Sequence, residues 1–102
     1  MDRVQFLHSI SCPEVNGQLD IIISFFEQYM LLYNVIDDVS SASLIHSDNS
    51  MITFQITCTK KESAESIYNS LRDNPSISIY ESVYLVHADI IDDHTINITI
   101  SN

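Results

Sequence analysis

Met51-Ile52-Thr53-Phe54-Gln55-Ile56-Thr57-Cys58-Thr59 decides how this chain is read. Its residues alternate without interruption. Ile52, Phe54, Ile56 and Cys58 fall on one face, and Thr53, Gln55, Thr57 and Thr59 on the other. An unbroken period of two, rich in β-branched residues, marks a strand with one buried and one wetted face. Such a strand needs partners along its edges and a layer over its apolar face.

The covering layer follows at once. Thr59-Lys60-Lys61-Glu62 has the T-x-x-E spacing of a capping box. Ala64, Ile67, Tyr68 and Leu71 then recur at helical spacing, and Asn74-Pro75 ends the helix. Beyond it, Ser76 to Ile91 alternates again, with Ile77, Ile79, Val83 and Leu85 on one face. Asp92-Asp93 reads as a hairpin turn. Thr95 to Ser101 returns with Ile96, Ile98 and Ile100 set against Thr95, Asn97 and Thr99.

Upstream, Ser47-Asp48-Asn49-Ser50 is a turn cluster, and Val39 to His46 reads as a Ser-rich strand. Val4 to Ile10 alternates and reads as a first strand, with Val4, Phe6, His8 and Ile10 sharing a face. Ser11-Cys12-Pro13-Glu14 offers a capping box for a first helix running to about Asn34. That helix is apolar on two neighbouring rows, Leu19/Ile22/Ile23/Phe26/Met30/Tyr33 and Ile21/Phe25/Leu32. One sheet face cannot cover both, so the first helix is a candidate surface for self-association or for a protein partner.

The expected order is β-α-β-β-α-β with an additional C-terminal antiparallel strand, in one α+β domain over residues 1–102. This resembles the ferredoxin-like architecture, an antiparallel sheet with both helices on one face. The architecture hosts enzymes, sensors, RNA binders and scaffolds, so function has to come from the residues.

Charge is the strongest functional signal. Four basic residues, Arg3, Lys60, Lys61 and Arg72, stand against fourteen acidic ones, for a formal net charge of −10 on 102 residues. A hydrophobic content of 45% separates the chain from disordered acidic tails. Its acidity opposes contact with nucleic acid and anionic membranes and favours basic partners. Tyr80 and Tyr84 are suitably spaced for base stacking, but they are surrounded by Glu81, Asp89, Asp92 and Asp93 instead of lysines and arginines. The same tyrosines suit a protein interface, where tyrosine is a frequent anchor, as well as they suit a half-buried strand.

Other constellations weigh less. His87, Asp89, Asp92, Asp93 and His94 gather metal-ligand types in one hairpin, which makes a metal-dependent enzyme the third reading. Asp is also a good turn former, and no metal or cofactor is expected. His8 and His46 beside Cys12 or Cys58 bring the residue types of nucleophilic catalysis, without a recognisable elbow or oxyanion site in a chain with one glycine. The two cysteines form no disulfide framework or metal motif. The N-terminus lacks the pattern of a signal peptide, and Leu19 to Ile36 is too polar for a membrane span. A cytoplasmic setting, in a bacterium or a host cell, is the expectation.

The sequence therefore leads to a non-enzymatic, acidic, protein-binding domain that occupies a basic surface. Inhibitors of the anti-defence or toxin-immunity type, from phage or bacteria, are the kind expected. The partner-binding residues would be Asp37, Asp38, Tyr80, Glu81, Tyr84, Asp89, Asp92 and Asp93. The alternative is a homodimeric regulatory or structural module, joined through the first helix or a strand edge.

Overall fold

The computed structural model describes residues 5, 6, 9, 28, 35–48, 50–79 and 82–101. A 3-10 turn, Ile36–Asp38, leads into β1 (Val39–Ser47). Then come β2 (Met51–Cys58), helix α1 (Lys61–Asp73), β3 (Ser76–Ile79), β4 (Ser82–Ile90) and β5 (Thr95–Ser101). The strands form one sheet in the order β1-β2-β5-β4-β3, and every neighbouring pair is antiparallel. Helix α1 lies against β2, β4 and β5.

The α+β class stands; the described residues do not show the ferredoxin-like arrangement. Gln5, Phe6 and Ser9, the described residues of the expected strand Val4 to Ile10, have helical backbone instead. The Ser9 hydroxyl donates to the Gln5 carbonyl at 2.8 Å, a bond across one helical turn. A short apolar run suits a buried helical segment as well as a strand. Phe6 is fully buried, edge-on to Phe54 with ring centroids 6.1 Å apart. The slot beside β2 is taken instead by the last strand. Because β5 is antiparallel to both β2 and β4, those two run parallel with β5 between them. From β2 the chain passes through α1 to the edge strand β3, turns back in β4, and returns in β5 to fill the place between β4 and β2. The expected first helix lies outside the described residues, apart from Gln28. That residue has helical backbone, and its side-chain amide donates to the Ser78 carbonyl at 3.1 Å.

The stretch read as one strand, Ser76 to Ile91, is two. Strands β3 and β4 pair in a hairpin, with Ile77 opposite Tyr84 and Ile79 opposite Ser82. Reversal of the chain changes which residues share a face. Ile77 still faces the core, but on β4 the core-facing residues are Tyr84, Val86 and Ala88. Val83 and Leu85, expected inside, are 63% and 58% exposed. Tyr84, expected on the open face, is half-buried against the core. Tyr80 and Glu81 lie outside the described residues.

The core has two layers. Ile52, Phe54, Ile56 and Cys58 of β2, Ile96, Ile98 and Ile100 of β5, and Val86 of β4 form the floor. Ala64, Ile67 and Leu71 of α1 cover it. The T-x-x-E box is not made: Lys60 is the extended N-cap residue, with no side-chain cap bond. The Thr59 hydroxyl donates instead to the Asp38 carbonyl at 3.2 Å. The helix stops where the sequence places it, at Asp73, with the Asn74 N–H bonded to the Ser70 carbonyl. Cys58 is a free thiol, and burial, reinforced by the Asp38 charge, pushes its pKa up to about 11. Its place on the core face separates it from the exposed His46 and removes that pair as nucleophile and base.

The hairpin makes adjacent residues of β4 respond differently. Val86→Ala should cost roughly 1–2 kcal/mol in urea unfolding, whereas Leu85→Ala should stay within about 0.5 kcal/mol. The reverse ranking would restore the single-strand reading of Ser76 to Ile91.

Candidate functional site

The face of the sheet away from α1 is a hydrogen-bonded polar surface. Thr53 bonds Thr99 at 3.0 Å, Gln55 donates to Asn97 at 3.0 Å, and Thr57 bonds Thr95 at 3.2 Å. Each pair is directly opposite in the β2–β5 register. The strands flanking β2 and β5 continue the Thr53–Thr99 row with histidines: His46 of β1 beside Thr53 and His87 of β4 beside Thr99. His46 meets Asp48 at 2.7 Å and His87 meets Asp89 at 2.9 Å, both pairs exposed. Three strand spacings, about 14 Å, separate the two histidines, so they do not act on one substrate atom. The open face is neutral at its centre; its carboxylates sit at the margins.

The acidity gathers at one end. Asp37 and Asp38 form the turn before β1, and the Thr59 N–H donates to the Asp38 carbonyl at 2.7 Å. The neighbouring Cys58 N–H donates to the His94 carbonyl at 2.7 Å, which draws in the β4–β5 turn with Asp92 and Asp93. Four of the sequence-derived partner residues, Asp37, Asp38, Asp92 and Asp93, therefore share one end of the sheet. Asp89 stands further along β4, opposite Asn97. The first turns of α1 add Glu62, which the sequence marks only as a capping-box residue, and Glu65, which it does not mark. Their helical positions following a strand end were the available signal.

These carboxylates have different tasks. Asp38 is structural: its carboxylate accepts the Ser63 hydroxyl at 2.8 Å at the start of α1 and lies 3.9 Å from the Lys60 ammonium. Negative charge at a helix N-terminus is favourable. Asp92 holds its turn by accepting the His94 N–H at 2.9 Å; this bond first, then the Thr95 hydroxyl, holds its carboxyl below the ordinary range. Asp48 does the same in the β1–β2 turn. The His46 imidazole and then the Ser50 N–H and hydroxyl hold its carboxyl well below the ordinary range, and the Met51 N–H adds to them. Asp37 and Asp93 are not among the carboxylates within 4 Å of a basic group among the described residues.

The metal constellation does not converge. Asp89 turns to His87 and Asp92 to its own turn, and among the described residues no three His, Cys, Asp or Glu side chains are grouped to hold a metal ion. No helix of the described residues is long and apolar enough to cross a membrane. No protein-family model, curated protein or solved structure matches the chain.

The lowered carboxyls have a stated direction. Stability from Asp48 and Asp92 is fully present above the unfolded carboxylate pKa, about 4, and is lost as pH falls toward their folded values. Asn at position 92 can still accept the His94 N–H but does not titrate. Thermal unfolding of Asp92→Asn between pH 7 and pH 2 should therefore show a shallower acid loss than the parent. Equal slopes would place the acid sensitivity elsewhere.

Proposed function

We propose that this chain is a non-enzymatic protein-binding domain that sets its acidic sheet end against a basic surface of a partner protein. The observation that carries this reading is the convergence of Asp37, Asp38, Asp92 and Asp93, with Glu62 and Glu65 beside them. The two lysines at that end do not cancel it. Lys60 lies 3.9 Å from Asp38 and Lys61 3.9 Å from Glu65, so each is matched to a carboxylate. Six carboxylates against two ammonium groups leave a field that speeds and orients docking on a cationic site. Cationic sites of this kind include nucleic-acid channels and toxin active sites, so an inhibitor is the finer form of the proposal. A free, buried Cys58 fits a cytoplasmic setting.

The test uses two baits in lysate of the native host: the parent chain and the Asp37→Asn/Asp92→Asn/Asp93→Asn variant. At an ionic strength of ~0.1 M, where exposed charges act over about 10 Å, the parent should retain one or more basic proteins that the variant releases. Retention that is equal for both baits, or unchanged at ~0.5 M salt, would remove the acidic end from the interface.

One observation favours a second reading, a homodimeric module. Val83 and Leu85 stand 63% and 58% exposed on the open face, next to the four-residue edge strand β3. Paired copies would cover them. Sedimentation equilibrium should then show a dimer that Leu85→Arg converts to monomer, and a parent chain monomeric at every concentration would end this reading.

A further inference from the structure

We propose that the cleft between α1 and the β4–β5 turn receives an arginine side chain of the basic partner. The cleft has a volume of about 220 Å³ and is lined by Lys61, Ala64, Glu65, Tyr68, Ile90, Asp92, Asp93 and Ile96. Its floor is apolar, with Ala64 and Ile96 buried, and Tyr68 forms a half-buried wall. Ile90 extends the apolar lining and is 58% exposed, although it lies on the core-facing side of β4 directly opposite Ile96. The helix does not cover it. The rim carries three carboxylates, Glu65, Asp92 and Asp93, and one ammonium, Lys61, held 3.9 Å from Glu65.

An apolar shaft under an anionic rim complements one kind of natural side chain: a long aliphatic stem ending in a cation. Ile90 and Ala64 would take the stem. The Asp92 and Asp93 carboxylates would accept from the head, since each carboxylate has lone pairs for several donors. Arginine is chosen over lysine because Tyr68 supplies an aromatic wall and the paired aspartates can share a planar, multi-donor head. The inference rests on the docking reading above and adds a specific anchor to its steering field.

The probe is Nα-acetyl-arginine methylamide, titrated into the 15N-labelled chain and followed by amide shifts. The controls are the citrulline and lysine counterparts. Saturable shifts are expected at Ala64, Glu65, Tyr68, Ile90 and Asp93, with none from citrulline. Ile90→Ser, a change at an exposed position, should weaken the arginine probe about fourfold or more, as expected for losing at least one buried methylene contact. Shifts that never saturate, that spread equally to Asp37 and Asp73, or that survive Ile90→Ser unchanged would overturn the site. A lysine probe that binds as tightly would overturn the assignment to arginine. If the probe fails while the Asp37/Asp92/Asp93 dependence of capture persists, the cleft falls and the docking end stands. Loss of that dependence removes the docking reading itself.

Discussion

The pairing of β2 with β5 is the constraint on which the rest depends. It joins Met51 through Thr57 to Thr95 through Ser101, so it closes only after α1, β3 and β4 have been laid down. Its register matches like with like on both faces. Ile52, Phe54 and Ile56 stand opposite Ile100, Ile98 and Ile96, while Thr53, Gln55 and Thr57 stand opposite Thr99, Asn97 and Thr95. A slip of β5 by one residue would put Ile96, Ile98 and Ile100 in water and Thr95, Asn97 and Thr99 in the core. Each matched polar pair contributes only roughly 0.2–1 kcal/mol. The specificity comes from the penalty on every alternative.

Once β5 is in the centre, the ends follow. Strand β1 is left on one edge, where register shifts between Val39 and Ser41 and between Leu44 and His46 interrupt its ladder. Strand β3 is left on the other edge with four residues, and the Gln28 amide occupies its Ser78 carbonyl. Short, interrupted or capped edges discourage open-ended pairing with further chains. The same placement brings the β4–β5 turn against the end of β2, through the Cys58–His94 bond, and so beside the Asp37-Asp38 turn.

Much of this was legible in the residues because alternation reports a half-buried strand directly. Met51 to Cys58, Thr95 to Ser101 and the helix ending before Asn74 are where their periodicity places them. Strand order was not legible, since the face pattern of β2 says that it is central without saying which strand sits beside it. The N-terminal segment and β5 were both available, and only the long-range match of Thr-Gln-Thr to Thr-Asn-Thr distinguishes them. The reversal near residue 80 was hidden for a different reason. Val83 and Leu85 continue the odd-numbered apolar pattern of Ile77, so the reversal between β3 and β4, which exchanges the faces, leaves the periodicity looking intact. The acidic positions were visible one by one, but their assembly depended on backbone bonds from Cys58 and Thr59 that composition does not encode.

The carboxylates of the acidic end differ in how far the fold engages them. Crowding six carboxylates costs self-repulsion, and the fold offsets part of it locally. Asp38 meets Ser63 at the start of α1, Lys60 and Lys61 take one carboxylate each, and Asp92 accepts a turn N–H. What remains outward-facing is Asp37, Glu62 and Asp93, none of which is paired with a basic group among the described residues. A carboxylate whose lone pairs are engaged inside the fold has fewer of them to offer a partner's donors. In the proposed docking, Asp38, half-buried and bonded to Ser63, belongs to the fold, whereas Asp92, exposed and engaged only within its own turn, keeps lone pairs for a partner beside Asp37, Glu62 and Asp93.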